Sequence, residues 1–169
     1  MGEPVVLRRL TARDAPVIAA WATDPEFVRE AGWPPTRSAD EYLRHHADLI
    51  KEPPPGFLRL GVRAGDDLVG YVDFYGEDPE RREIGFLIGL RNLWGRGLGR
   101  AAVAAGLRYG FGELGLREIT AEAYAAHRRS IHILHRLGFH ETGRRDDHGA
   151  PSLCFSITAP RLPRGIVAG

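Results

Sequence analysis

Glycines at alternate positions in Trp94-Gly95-Arg96-Gly97-Leu98-Gly99-Arg100 constrain this chain more than any other feature. The segment lies between an apolar run that reads as a strand, Arg82 to Ile88, and a stretch where Val103, Leu107, Phe111 and Leu114 recur at helical spacing. A strand, a glycine turn and a helix in succession call for a layered α/β fold. Without Cβ atoms the backbone N–H groups of such a turn can close on an anion, and the helix N-terminus adds unpaired donors and a favourable dipole. A pyrophosphate is the natural ligand, with Arg96 and Arg100 placed to add charge-assisted contacts. A dinucleotide fingerprint needs glycine where Arg100 stands, and a nucleoside-triphosphate loop needs a Gly-Lys-Ser/Thr ending; the segment has neither. A tight glycine turn with no ligand is the other reading.

Around this segment the elements follow from local pattern. Val5 to Leu10 reads as a strand. Thr11 to Asp14 reads as a helix start, with Val17, Ile18 and Trp21 following at helical spacing. Pro25 to Arg37 reads as an irregular connection. Ser38-Ala-Asp-Glu41 is a full capping box for a second helix, which Pro53 to Gly56 stops. Strands are expected at Phe57 to Arg63, Leu68 to Tyr75 and Arg82 to Ile88, with a turn at Gly65 to Asp67. Gly115 is placed to end the central helix. Arg117 to Tyr124 reads as a strand, Ser130 to Leu137 as a helix ended by Gly138, and Phe139 to Arg145 and Ser152 to Thr158 as a last hairpin around Asp146 to Gly149. Pro160 and Pro163 stop regular structure. The order βααβββαβαββ predicts a mixed, mostly antiparallel sheet of six or seven strands with helices on both faces.

Composition narrows the function classes. A length of 169 residues suits one domain over 1–169, with no repeat or linker to divide it. A net charge of +1 gives no global pull towards nucleic acid or membrane. Lys51 is the one lysine, so the basic residues are otherwise arginine, a coding bias or a preference for phosphate and carboxylate. Cys154 is the one cysteine, which excludes an intrachain disulfide and fits a reducing compartment, the cytoplasm; its apolar neighbours predict a buried, inert thiol. Met1 to Pro4 does not read as a signal peptide, and no apolar run is long enough to span a bilayer. His132 and His135 share a helical face, but no further ligand completes a tetrahedral metal site, so no metal is expected.

Three segments together resemble the Gcn5-related N-acetyltransferases, and within them the RimJ/RimL-type branch. Trp94-Gly95-Arg96-Gly97-Leu98-Gly99 resembles the family's pyrophosphate loop, Gln/Arg-x-x-Gly-x-Gly/Ala, with Trp94 at the Gln/Arg position. Glu83-Ile84-Gly85-Phe86-Leu87-Ile88 resembles the branch's Glu-Ile-Gly-aromatic-x-Ile strand. His127-Arg-Arg-Ser130, continuing through Leu134 to Leu137-Gly138-Phe139, resembles Asn-x-x-Ser-x-x-x-Leu-x-Lys-Leu-Gly-Phe, followed by Glu141 and Gly143. The likeness spans Arg81 to Gly143. It implies acetyl-CoA as co-substrate, bound by the loop from Trp94 to Arg100, by backbone groups of Phe86, Leu87 and Ile88, and by His127 and Ser130. One N–H of that strand would serve as oxyanion donor. His127 replaces the family's Asn, and Leu134 excludes the tyrosine acid that many members carry there; in the RimJ/RimL branch the serine matching Ser130 takes that role.

Acetyl transfer requires a held thioester, a neutral amine and a protonated leaving thiolate. Period-two alternation sets Glu83 opposite Ile84, Phe86 and Ile88, so its carboxylate can take the ammonium proton through one water. The alternative is a solvated acid at the strand end beside Arg81 and Arg82. Asp73 and Asp147 are weaker base candidates. Ser130 is the acid candidate, against a helix-capping serine. The acceptor is expected to be an amine: a protein N-terminus, a polyamine, an aminoglycoside or another small amine. It would be chosen by Pro25 to Arg37 and the Asp146 to Ala150 turn, where Glu26, Glu30, Glu77, Asp78, Asp146 and Asp147 favour a cation. The competing function is a CoA-binding sensor module without catalysis, and the sequence leaves a homodimer open.

Overall fold

The computed structural model describes residues 4–147 and 149–160, Asp147 by its backbone alone. Met1 to Glu3, His148 and Pro163, on which some expectations fell, lie outside the described residues.

Strand β1 (Val5–Arg9) leads into a short 3-10 turn whose start is fixed by Thr11 N–H donating to the Asp14 carboxylate at 2.7 Å. Helix α1 (Ala15–Ala20) follows and buries Ile18. The first departure from expectation comes next: Pro25–Glu30 is a helix, α2, not part of an irregular connection. Its signal was present in the sequence. Asp24 caps it, accepting from Glu26 N–H at 3.1 Å and Phe27 N–H at 3.4 Å, and Pro25 occupies the first helical position, where its missing N–H is harmless. Helix α3 (Ala39–Lys51) starts at the Ser38–Glu41 capping box, with Ser38 N–H donating to Glu41 at 2.6 Å. The element order is therefore βαααβββαβαββ.

Strands β2 (Phe57–Ala64), β3 (Asp67–Tyr75) and β4 (Arg81–Ile88) form an antiparallel meander. Helix α4 (Leu98–Gly112) crosses to β5 (Glu118–Tyr124), which runs parallel to β4. Helix α5 (Arg128–Arg136) precedes the hairpin of β6 (His140–Asp147) and β7 (Ala150–Thr158). The seven strands lie in the order β1-β2-β3-β4-β5-β7-β6, antiparallel everywhere except at β4–β5.

Each face of the sheet has its own core. On one, Val72, Phe74, Ile84 and Ile119 pack under Ala102, Val103 and Leu107 of α4. Glycine brings that helix close: a Cβ on Gly106 would lie 2.7 Å from Ile84 Cδ1, and one on Gly110 2.7 Å from Ile119 Cδ1. On the other face, Ile18, Trp21, Phe27 and Val28 cover Leu68 and Tyr71. Among the described residues no helix is long and apolar enough to cross a membrane.

Candidate active site

The site arises from incomplete pairing. β4 and β5 pair only through Arg81–Glu83 and Glu118–Thr120, although β4 continues to Ile88 and β5 to Tyr124. On their outer sides β4 pairs with β3 from Glu83 to Ile88, and β5 pairs with β7 along its whole length. Beyond Glu83 the two halves of the sheet splay apart, leaving unpaired backbone N–H and C=O groups on the facing edges. A buried sheet would not tolerate such groups without partners, so a cleft open to solvent or ligand is the physical consequence. It measures about 1280 Å³.

The sequence-named residues converge on this cleft from separate elements. Glu83, Phe86, Leu87 and Ile88 come from β4, Trp94, Gly95, Gly97, Gly99 and Arg100 from the loop and the start of α4, and His127 and Ser130 from the start of α5. Two loop residues differ. Leu98 turns its side chain into the core, and Arg96 is exposed outside the cleft lining.

The loop geometry accounts for its glycines. Gly95 and Gly97 have φ of 76° and 83°, a region that disfavours residues with a Cβ. Nothing lies within 4 Å of where their Cβ atoms would stand, so the space above both is free. Gly97 is the N-cap of α4 and supplies no capping side chain. The first-turn N–H groups, which a helix cannot satisfy internally, open at the cleft. Gly99 serves packing: a Cβ there would meet Ile133 Cδ1 at 3.1 Å, so α5 sits closely against the start of α4. Trp94 anchors the loop. Its Nε1–H donates to the Ile88 carbonyl at 2.8 Å, which removes that carbonyl from those expected to meet a pantetheine arm. Its ring packs between the two cores and under the Arg129 guanidinium, 5.3 Å from the ring centre.

Glu83 lies opposite Tyr75 on β3 and Thr120 on β5, on the face away from α4. It forms no salt bridge among the described residues: Arg81 turns to Glu118 at 3.5 Å, and alternation sends Arg82 to the other face. Half-buried, its carboxyl is pushed above the usual glutamate range by burial first and by neighbouring Glu122 second, while Arg145 pulls it back. That direction suits a group that must accept a proton.

Asp73 is corrected as a base candidate. It is 2 % exposed, and its two oxygens accept from Arg59 Nε and Nη2, each at 2.7 Å. A carboxylate so engaged has no access to an acceptor. Tyr75 Oη also donates to it at 3.0 Å, and Arg59 lies 3.6 Å from the centre of the Tyr71 ring. Burial and the charge of Arg59 push His46, beside this pair, down to about 3, so it is neutral. The side chain of Asp147 lies outside the described residues.

Ser130 is the third residue of α5, half-buried, and makes no side-chain hydrogen bond among the described residues. The capping position belongs to His127, whose ring stands edge-on to Tyr124 at 5.4 Å. Cys154 is half-buried rather than enclosed, because it alternates onto the polar face of β7 while Leu153 and Phe155 face the core. His132 lines the cleft, and His135 packs edge-on against Phe155 at 5.4 Å. Of the acids expected near an acceptor, Glu26 and Glu30 do line the cleft, but Arg91 reaches Glu26 at 2.6 Å and also pairs with Asp24.

Sequence reasoning missed Glu122. It lies on the polar face of β5, its Oε1 accepts from Ser152 Oγ, and Arg145 Nη1 stands 3.7 Å from its Oε2. The register that pairs Glu83 with Thr120 sets it one step further along the same face. The alternation of Glu118, Thr120, Glu122 and Tyr124 was legible, but which strand lies beside β4 was not.

Known proteins agree with this architecture. Residues 5–140 match the family model described as the acetyltransferase (GNAT) domain. The chain is 30% identical over 151 residues to the uncharacterized N-acetyltransferase p20 of Bacillus licheniformis, covering 86% of this chain and 84% of that protein. Its fold matches the aminoglycoside acetyltransferase AAC(6')-Ib solved with coenzyme A, with a TM-score of 0.78 at 19% identity over 91% of this chain and 94% of that one. It also matches spermidine N-acetyltransferase from Vibrio cholerae solved with CoA and spermine, with a TM-score of 0.77 at 20% identity over 91% and 95% of the two chains. With the family model matched over residues 5–140 and a relative 30% identical along most of both chains, this chain belongs to the GNAT acetyltransferase family.

Proposed function

We propose that the chain transfers an acetyl group directly from acetyl-CoA to a primary amine, and that it does so as a member of the RimJ/RimL-type branch. The observation that carries this reading is the splay of β4 from β5. It opens a passage between the glycine loop on the α4 side and Glu83 on the opposite face. The loop N–H groups and the α4 dipole hold the pyrophosphate. The freed edge of β4 at Phe86 and Leu87 takes the pantetheine arm as a strand would, and one N–H there stabilises the oxyanion. The acceptor nitrogen, deprotonated through water by Glu83, attacks the thioester carbonyl. The new C–N bond forms as the C–S bond breaks, the nitrogen releases its extra proton to solvent water, and Ser130 gives its proton to the leaving thiolate, regaining one from that water.

Glu83, without a salt bridge among the described residues, and Glu122 beside it favour a cationic acceptor, and the spermine and kanamycin bound by structural relatives are amines of that kind. Cys154 as the one cysteine fits work in the reducing cytoplasm. The test is release of free CoA thiol from acetyl-CoA with spermidine, an aminoglycoside and a peptide N-terminus in turn. Thiol release that depends on one of these amines, with the acetylated product seen by mass spectrometry, supports the reading. Tight acetyl-CoA binding with no turnover across the panel would replace it with a CoA-binding module.

A further inference from the structure

We infer that Glu122 is a positioning residue for the reaction, its charge set beside Glu83 so that Glu83 can hold the proton taken from the acceptor. The inference rests on the reading of Glu83 as base.

The geometry begins with strand register. Glu83 pairs with Thr120, so Glu122 follows on the same face of β5, at the point where β4 and β5 part. Both carboxylates line the cleft, and both also line a smaller polar recess of about 570 Å³ that continues from it. Their partners differ. Glu122 accepts from Ser152 Oγ, a side chain that is itself buried, and faces Arg145 at 3.7 Å. Glu83 has neither a donor nor a salt bridge among the described residues. Two carboxylates in one cleft then divide the work: Glu122 is held by its partners, and Glu83 is left free to accept the proton.

The other groups around Glu83 do not undo this division. On its own strand Arg81 is turned to Glu118. Asp73 on β3 accepts from both Arg59 and Tyr75, so the acid and the Tyr75 hydroxyl are engaged with each other. Arg145 on β6 opposes Glu122 in its effect on Glu83, and across the cleft Glu26 of α2 is paired with Arg91 while Glu30 faces Arg29. Burial of Glu83 and the charge of Glu122 push its carboxyl in the same direction, so removing Glu122 takes away part of that push. A base that holds a proton too weakly leaves the amine protonated and unreactive near neutral pH.

The test is a carbon-13 NMR titration of the glutamate carboxyls in the full-length protein, with the Glu83 signal identified by its loss in Glu83→Gln. In Glu122→Gln the Glu83 midpoint is expected to fall by about one pH unit. Glu122→Asp, which keeps the charge, should leave it within a few tenths of a unit, and Arg145→Ala should raise it. The acid limb of kcat/KM against pH should move with the midpoint in each variant. These shifts lie outside what a purely structural role would produce, and melting curves confirm that each variant is folded. An unmoved Glu83 midpoint in Glu122→Gln overturns the role of Glu122 and leaves the base reading intact. A Glu83→Gln protein with wild-type kcat/KM at every pH removes the base reading itself, and the inference with it.

Discussion

At the scale of single residues, engagement decides role more than residue type does. Asp73 and Glu83 are acids on neighbouring strands facing the same side of the sheet. One is bound to Arg59, and the other is free in a cleft. Arg59→Ala would leave the Asp73 carboxylate buried without its partner. Its expected destabilisation is about 3–5 kcal/mol, read by urea unfolding, because the uncompensated charge costs more than the pair contributes. Glu83 should behave in the opposite sense. Its folded-state carboxyl is held above the usual range, so the native state releases the proton later than the unfolded chain as pH rises. Stability is thus unaffected by this group at acid pH, falls as pH rises through the ordinary glutamate value of about 4.3, and stays lowered above the folded value. Glu83→Gln should therefore melt higher than wild type at neutral pH and match it near pH 4, while its acetyl transfer falls. An equal shift in melting temperature at both pH values would contradict this. For Ser130, a general-acid role predicts that Ser130→Ala lowers kcat by about 10²-fold with acetyl-CoA affinity unchanged. Wild-type kcat would leave Ser130 as a residue of the first turn of α5 and nothing more.

Elements place these residues, and glycine sets how they meet. Gly97 is the critical position because it is both the N-cap of α4 and part of the cleft wall. Its φ of 83° is one that aspartate adopts more readily than most residues, and nothing lies within 4 Å of a Cβ built there. Gly97→Asp should fold, yet it puts a negative charge where the pyrophosphate would bind. Calorimetry should show acetyl-CoA binding lost in a protein whose circular dichroism is native, and retained affinity would take the loop out of the binding site. The missed helix α2 is instructive at the same scale. Asp24-Pro25 is a sound helix start, but Trp33-Pro34-Pro35 downstream gave the whole segment the look of a loop. The structure uses Trp33 as packing, against Phe27, Tyr42 and His46 at centroid distances of 5.0, 5.4 and 4.9 Å.

At the scale of the whole molecule, the sheet is two halves joined at the foot of β4 and β5, with a cleft where pairing stops. A ligand that fills the gap and takes up the idle strand edges links those halves. Acetyl-CoA at a hundred times its dissociation constant should stabilise the native state by about 2.7 kcal/mol. For a chain of this size that is a rise in melting temperature of roughly 5–10 °C. Thermal shift with acetyl-CoA, wild type against Gly97→Asp, checks it, and a rise of the same size in both proteins would place the ligand elsewhere.

What the sequence determined by itself was local or carried by contiguous motif. The capping box at Ser38, the meander from Phe57 to Ile88, the glycine loop and α4 followed from periodicity, turn chemistry and the unsatisfied donors of a helix end. So did the face of β4 on which Glu83 stands, since alternation along one strand needs no tertiary knowledge. Tertiary structure decided whatever depends on which strand lies beside which. The parting of β4 from β5, the pairing of Asp73 with Arg59, the exposure of Cys154 and the approach of Glu122 to Glu83 all join residues far apart in the chain. Periodicity says which way a side chain points from its own strand. What it meets there is set by packing between strands, and no local pattern encodes that.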